Sequence, residues 1–228
     1  MTIFAAPRQR FPLLVTVLGL ALLSVFFLFP LSRIFSASFL DRQGVHLTLA
    51  NYIKILGSAF YQQAVANSFE IGALATLLAV LVAVPLAFAL ARFPIIGKSV
   101  LLSLVVLPLI LPSFVSAYAL LLMFGRAGLA TQALRDLGIP FGSIYGAPGI
   151  IAVYTLTLYP YVLLPTLAGL KAIDVSVEEA SRNLGASRWR GFWTVTLPIV
   201  IPSVLSGALL VFIETLENFG VPSVLAED

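Results

Sequence analysis

Cysteine is absent from this 228-residue sequence, and histidine occurs once, at His46. The first absence excludes disulfides, thiolate metal sites and iron–sulfur clusters, and the second removes any imidazole cluster. Charge is also scarce. Only 10% of the residues are charged, against about 25% in a soluble domain. With 60% hydrophobic residues and a mean hydropathy of +1.06, the chain has too little polar surface to face water and reads as an integral membrane protein. A formal charge of +3 and a pI near 9.4 do not amount to a nucleic-acid groove. The 13 basic residues are scattered at the ends of apolar runs, so nucleic acid is excluded as a partner and membrane lipid is expected.

What is present is length of apolar run. Five stretches stand out, at about 11–31, 69–91, 100–124, 149–170 and 199–216. A helical span needs about 20 apolar residues, so the first four qualify directly and the fifth only by reaching Leu216. Each should be helical, because lipid offers no partner to an unpaired backbone amide. Pro108, Pro112, Pro160, Pro165 and Pro202 interrupt these runs, and neighbouring helices must then satisfy the freed carbonyls. Small residues recur in the second run (Ala73, Ala75, Ala79, Ala83, Ala87, Ala91), which permits close helix packing. Glu70, near the start of that run, reads as an interface residue. The first run follows Arg8 and Arg10 but exceeds the apolar core of 7–15 residues typical of a signal peptide, so it reads as an uncleaved span. One transmembrane domain over residues 1–228 is expected.

Basic residues set the orientation. With the amino terminus in the cytoplasm, the inner segments hold Arg8, Arg10, Arg92, Lys98, Lys171, Arg182, Arg188 and Arg190, and the outer ones hold Arg33, Arg42, Lys54, Arg126 and Arg135. Residues 171–196 then lie inside. The turn-rich segments 32–66 and 125–147, with Asp41-Arg42-Gln43-Gly44 and Gly138-Ile139-Pro140, lie outside. The sequence stops at Leu225-Ala226-Glu227-Asp228 after an expected Gly220-Val221-Pro222 turn, which suggests a fragment of a longer protein.

The inner loop reads as two short helices. Ser176-x-x-Glu179 fits a capping box. Val177, Ala180, Ser181 and Leu184 then share one small, apolar face. Gly185 is placed to end that helix, Ser187 to cap a second through Val195, and Leu197-Pro198 to open the next span. Trp189, Phe192 and Trp193 suit the lipid headgroup layer. The run Glu179-Ala180-Ser181, three residues, Gly185, nine residues, Val195-x-Leu197-Pro198 resembles the EAA loop of inner-membrane permeases of ABC importers. Ser181 and Val195 depart conservatively from the family's alanine and isoleucine. The resemblance implies an all-α polytopic transmembrane helical bundle of the type I importer permease (MetI-like) architecture, in a bacterial inner membrane. It implies two ATP-binding cassette ATPases, a periplasmic binding protein and a second permease half as partners. Glu179, Ala180, Ser181 and Gly185 would contact an ATPase, and Val195, Leu197 and Pro198 would hold the loop against the bundle. ATP would be bound by the partner, with no cofactor, metal or catalytic residue in this chain.

Two further observations bear on function. Gly97-Lys98-Ser99 is not a phosphate-binding loop, because position 92 is arginine where that motif needs glycine. An intramembrane enzyme would need a nucleophile with its base, or metal ligands, inside the bundle. The spans contain no cysteine and no histidine. Glu214 and Glu217, three residues apart, share a helix face. An acid inside lipid costs about 2.5–3.5 kcal/mol and tends to face a pathway, so both are candidate pathway residues. The stretch Glu214-Thr215-Leu216-Glu217-Asn218-Phe219-Gly220 resembles the ferric-iron branch of these permeases. Thiamine, phosphonate, sulfate, molybdate and polyamine permeases share the layout and stand as alternatives.

Overall fold

The computed structural model describes residues 7–41, 43–139, 142–174, 176–177, 181, 183 and 185–226. Among the described residues the regular structure is helical, with one isolated bridge between Leu40 and Leu47. The chain divides into two compact units, residues 1–64 and 65–228.

In the first unit, α1 (Pro7–Leu23) passes through a π-helical turn (Ser24–Leu28) into α2 (Phe29–Ser38). The widened turn lies just ahead of Pro30, whose ring cannot follow a regular ladder. The expected outer turn forms here. The Asp41 carboxylate accepts from the Val45 amide at 2.9 Å, and Gly44 takes φ +74°. That amide, above all, holds the Asp41 carboxyl below its ordinary value. In α3 (Ala50–Gly57), Asn51 donates to the Ser38 and Leu40 carbonyls at 3.0 and 2.9 Å, tying the helix back to α2.

α4 (Ala59–Arg92) begins well before the expected Phe69. The polar residues Gln62, Gln63, Asn67 and Ser68 continue the helix. At 34 residues and 1.5 Å per residue it is about 51 Å long, more than the hydrocarbon layer requires. Glu70 is therefore an exposed mid-helix residue. Of the six small residues marked in the sequence, the four spaced by four (Ala75, Ala79, Ala83, Ala87) are fully buried, while Ala73 is exposed and Ala91 half-buried.

The third run breaks where its prolines fall. α5 (Lys98–Val106) gives way to a 3-10 turn (Leu107–Leu109), and α6 (Ser113–Phe124) starts after Pro112. The Val105 carbonyl at this break accepts from the Tyr159 hydroxyl at 3.2 Å, as the requirement for partners in lipid demands. A glycine-bounded turn leads to the polar α7 (Leu129–Asp136).

α8 (Ala147–Ala172) carries much of the core, including Val153, Tyr154, Val162 and Leu163. It keeps its path through Pro160 and Pro165. It packs on α10 (Leu197–Glu217) with unusually close backbones. A Cβ on Gly207 would lie 2.5 Å from the Val162 Cα and 2.6 Å from the Tyr161 carbonyl, and one on Gly169 would lie 2.7 Å from the Ser203 hydroxyl. The fifth run is longer than its apolar core implied. α9 (Arg188–Gly191), a second π turn (Phe192–Thr196) and α10 follow one another without a break, and 29 residues from Trp189 to Glu217 are apolar enough to span. The expected turn at Gly220-Val221-Pro222 is instead the start of α11 (Gly220–Leu225). Proline is tolerated there because first-turn amides need no partner.

Among the described residues, five helical segments are long and apolar enough to cross a membrane: Phe11–Ser38, Ala59–Arg92, Ser113–Asp136, Ala147–Ala172 and Trp189–Glu217. Lys98–Leu109 is apolar but shorter.

Candidate functional site

The loop after α8 starts from a buried anchor. Ile173 leaves the helix in extended conformation and inserts into the core. Asp174 follows and does the capping that the sequence reading gave to Ser176. Its carboxylate accepts from the Ser176 amide at 2.9 Å, and its carbonyl from the Val177 amide at 3.1 Å. The aspartate lies two residues before the helical Ser176, so it can reach amides that Ser176, already in the helix, cannot. The Ser176 amide, and then its hydroxyl, holds the Asp174 carboxyl below its ordinary value. Glu179 and Ala180 lie outside the described residues, as does Leu184.

Gly185 ends the first arm. Its φ is +87°, and the Ala186 amide donates back to the Ser181 carbonyl at 3.1 Å. This is the six-to-one bond of a glycine-terminated helix. A Cβ at Gly185 would meet nothing within 4 Å, so the backbone angle, not crowding, calls for glycine. Ser187 accepts from the Arg190 amide at 3.3 Å, capping the second arm as expected.

The arms touch through Ser181, which is half-buried. Its hydroxyl would lie 3.4 Å from a Cβ on Gly191. The face assigned to an ATPase by resemblance thus has one member turned inward, against the loop's own second arm. Phe192 then reaches the bundle, its ring 5.0 Å from that of Phe88 on α4. Trp189 stacks on Phe192 at 6.1 Å, and Trp193 meets both edge-on. Both tryptophans stay largely exposed. Thr196 is buried, Val195 and Leu197 are half-buried, and Pro198 is exposed. Leu197 and Pro198 continue a helix already under way instead of opening one.

At the far end of α10, Glu214 is half-buried and Glu217 exposed. The structure brings both carboxylates near Tyr161 of α8. Tyr161 escaped the sequence reading, since nothing local to Tyr159-Pro160-Tyr161 announces a partner fifty residues on. Asn218 escaped it too. Its carbonyl accepts from the Tyr154 hydroxyl at 3.0 Å, its amide donates to the Ser113 hydroxyl at 2.7 Å, and its oxygen accepts from the Val221 amide at 3.1 Å. One residue thus joins the end of α10 to three helices, through its backbone to α8 and through its side chain to α6 and α11. Among the described residues, no cluster of His, Cys, Asp and Glu is arranged to hold a metal.

Residues 75–228 match the family described as binding-protein-dependent transport system inner membrane component. The chain belongs to that family. The permease is 36% identical over 159 residues to the molybdenum transport system permease protein ModB of Escherichia coli (strain K12), covering 69% of each chain. It is 30% identical over 208 residues to the spermidine/putrescine permease PotB of Haemophilus influenzae, covering 88% of this chain and 72% of that one. It is 33% identical over 178 residues to the sulfate permease CysW of Synechococcus elongatus, covering 78% and 62%. Its fold matches a bacterial ABC transporter involved in alginate import, with a TM-score of 0.79 at 17% identity, covering 96% of this chain and 79% of that one. The permease is thus a multi-pass inner-membrane component of an ABC importer and not an enzyme. These three relatives are named for molybdenum, spermidine and putrescine, or sulfate, so the family is supported and the ferric-iron branch suggested by the stretch after Glu214 is not.

Proposed function

We propose that this permease moves a small charged solute, delivered by a periplasmic binding protein, into the cytoplasm under the drive of two partner ATPases. The loop from Asp174 to Gly191 receives the thrust, with Glu179, Ala180, Ser181 and Gly185 on the docking arm. The amino terminus is cytoplasmic, and a second permease half completes the pathway. The observation that carries this reading is the construction of the loop. It is capped by Asp174, closed by Gly185 and set against α4 through Phe192 and Phe88. A load on its tip therefore passes into the long helices. Co-purification of co-expressed ATPase tests it. Gly185→Pro forces φ near −65° where the loop needs +87°, and should abolish capture while the protein still inserts. Undiminished capture would refute docking through this loop.

For the solute, the molybdenum and sulfate relatives favour a tetrahedral oxyanion. A cation is the second reading, ferric iron or a polyamine, favoured by the carboxylates of Glu214 and Glu217 beside Tyr161. Thiamine and phosphonate rest on the shared layout alone. Uptake in cells separates the two. Oxyanion import should survive Glu214→Gln, whereas cation import should fall at least tenfold. Uptake of neither class would remove both.

A further inference from the structure

We infer that the segment between α6 and α8 holds a binding site for a small inorganic oxyanion, of the sulfate or phosphate class. A cavity of about 320 Å³ lies there, lined among others by Arg126, Thr131, Arg135, Ser143 and Tyr145. Its lining contains two guanidinium groups and no carboxylate. Neither arginine has an ion-pair partner among the described residues. Asp136 follows Arg135 in sequence but is not part of the lining.

Three features make this a built site and not a basic patch. Thr131 is only 3% exposed, yet its hydroxyl has no hydrogen-bond partner. Buried hydroxyls are almost always bonded; Thr76, Thr155 and Thr166 share this state within the spans, and Thr131 is the one of the four that lines the cavity. Arg126 is held in place, its guanidinium carbon 5.3 Å from the centre of the Tyr145 ring. Such stacking fixes the plane of the fork while leaving its N–H groups free to donate. Tyr145 is fixed in turn, its amide donating to the Ser143 hydroxyl at 3.1 Å. That hydroxyl accepts one bond and keeps its proton for the cavity.

The lining therefore offers two planar charged forks, the hydroxyls of Thr131, Ser143 and Tyr145, and no acid. That donor set matches a tetrahedral oxyanion, which presents acceptors in several directions. Arg135 sits in the last turn of its helix, where a cation is favoured by the helix dipole. This accounts for Arg135 alone, and leaves Arg126 and the unpartnered Thr131 unexplained. The site stands whether or not the transported solute is itself an oxyanion.

Calorimetry on the full chain in detergent, at constant ionic strength, tests the assignment. Sodium sulfate and sodium molybdate should bind saturably, and acetate and chloride should not. Arg126→Gln and Arg135→Gln should each weaken sulfate binding at least tenfold. Arg126→Lys should weaken it too, because a lysine loses the stacked fork. Thr131→Val, nearly equal in shape, should weaken it several-fold and guards against misfolded arginine variants. Sulfate should also slow phenylglyoxal modification of Arg126 and Arg135 in the unaltered protein. Absence of saturable binding, equal binding by the variants, or equal effects of acetate would overturn the site. Acetate competing as well as sulfate would point to a partner's carboxylate as the occupant. None of these readouts involves ATP or uptake, so a failure here is separable from a failure of the solute proposed above.

Discussion

At the residue scale, single backbone demands decide identities. Gly185 and Gly138 both end a helix at positive φ, +87° and +72°. Both are followed by an amide that donates back to the helix, Ala186 to Ser181 at 3.1 Å and Ile139 to Leu134 at 2.9 Å. The two stops use the same physics on segments of opposite expected sidedness. Asp174 supplies the matching start. With the carboxyl held below its ordinary 3.8 by the Ser176 amide, the cap's contribution is present above that range and is lost as pH falls through the lowered value. Asp174→Asn should keep the cap and remove its acid sensitivity, while Asp174→Ala should loosen the loop's first arm at every pH. Amide exchange at Ser176 and Val177 checks both. The cap lies two residues before the expected Ser176, because serine and aspartate are both good caps and the sequence alone does not say which of them precedes the first turn.

At the scale of elements, proline explains the departures from regular helix. Among the described residues two π-helical turns occur, Ser24–Leu28 and Phe192–Thr196. Each stands immediately ahead of a proline at the second position of the following helix, Pro30 and Pro198. Proline removes one amide and crowds the carbonyl four residues back, and a widened turn relieves both without ending the helix. The Leu197-Pro198 pair therefore lies within a continuous rod, which joins the loop directly to α10. Packing between α8 and α10 depends on a different residue type. Gly207→Val should cost about 1–3 kcal/mol or more by overpacking, since even a Cβ would sit 2.5 Å from Val162. Gly19→Val, with nothing within 4 Å, is the matched control. Unfolding in detergent-denaturant mixtures should separate the two, and equal stability of both variants would contradict the observed approach.

At the scale of the whole molecule, the proposed function makes the permease a passive set of spans worked through one loop. Glu179→Lys should leave insertion and abundance unchanged and lower ATP-driven uptake at least tenfold, and reconstituted vesicles can measure both; normal uptake would return Glu179 to a solvated surface role. The sequence by itself determined the class of environment, the number of long apolar helices and the loop between the fourth and fifth. These follow from local quantities: hydropathy summed over about 20 residues, the interval from Glu179 to Pro198, and the placement of glycine. Helix limits were less legible, because polar residues such as Gln62 and Gln63 end an apolar run without ending a helix. Only the tertiary structure decided which small residues face the core, that Ser181 turns toward Gly191, that Tyr161 meets Glu214, and that Arg126, Thr131 and Arg135 enclose one cavity. Those pairings join residues 4 to 53 positions apart. They depend on where a turn or a close backbone crossing aims each side chain, a direction that no run of neighbouring residues encodes.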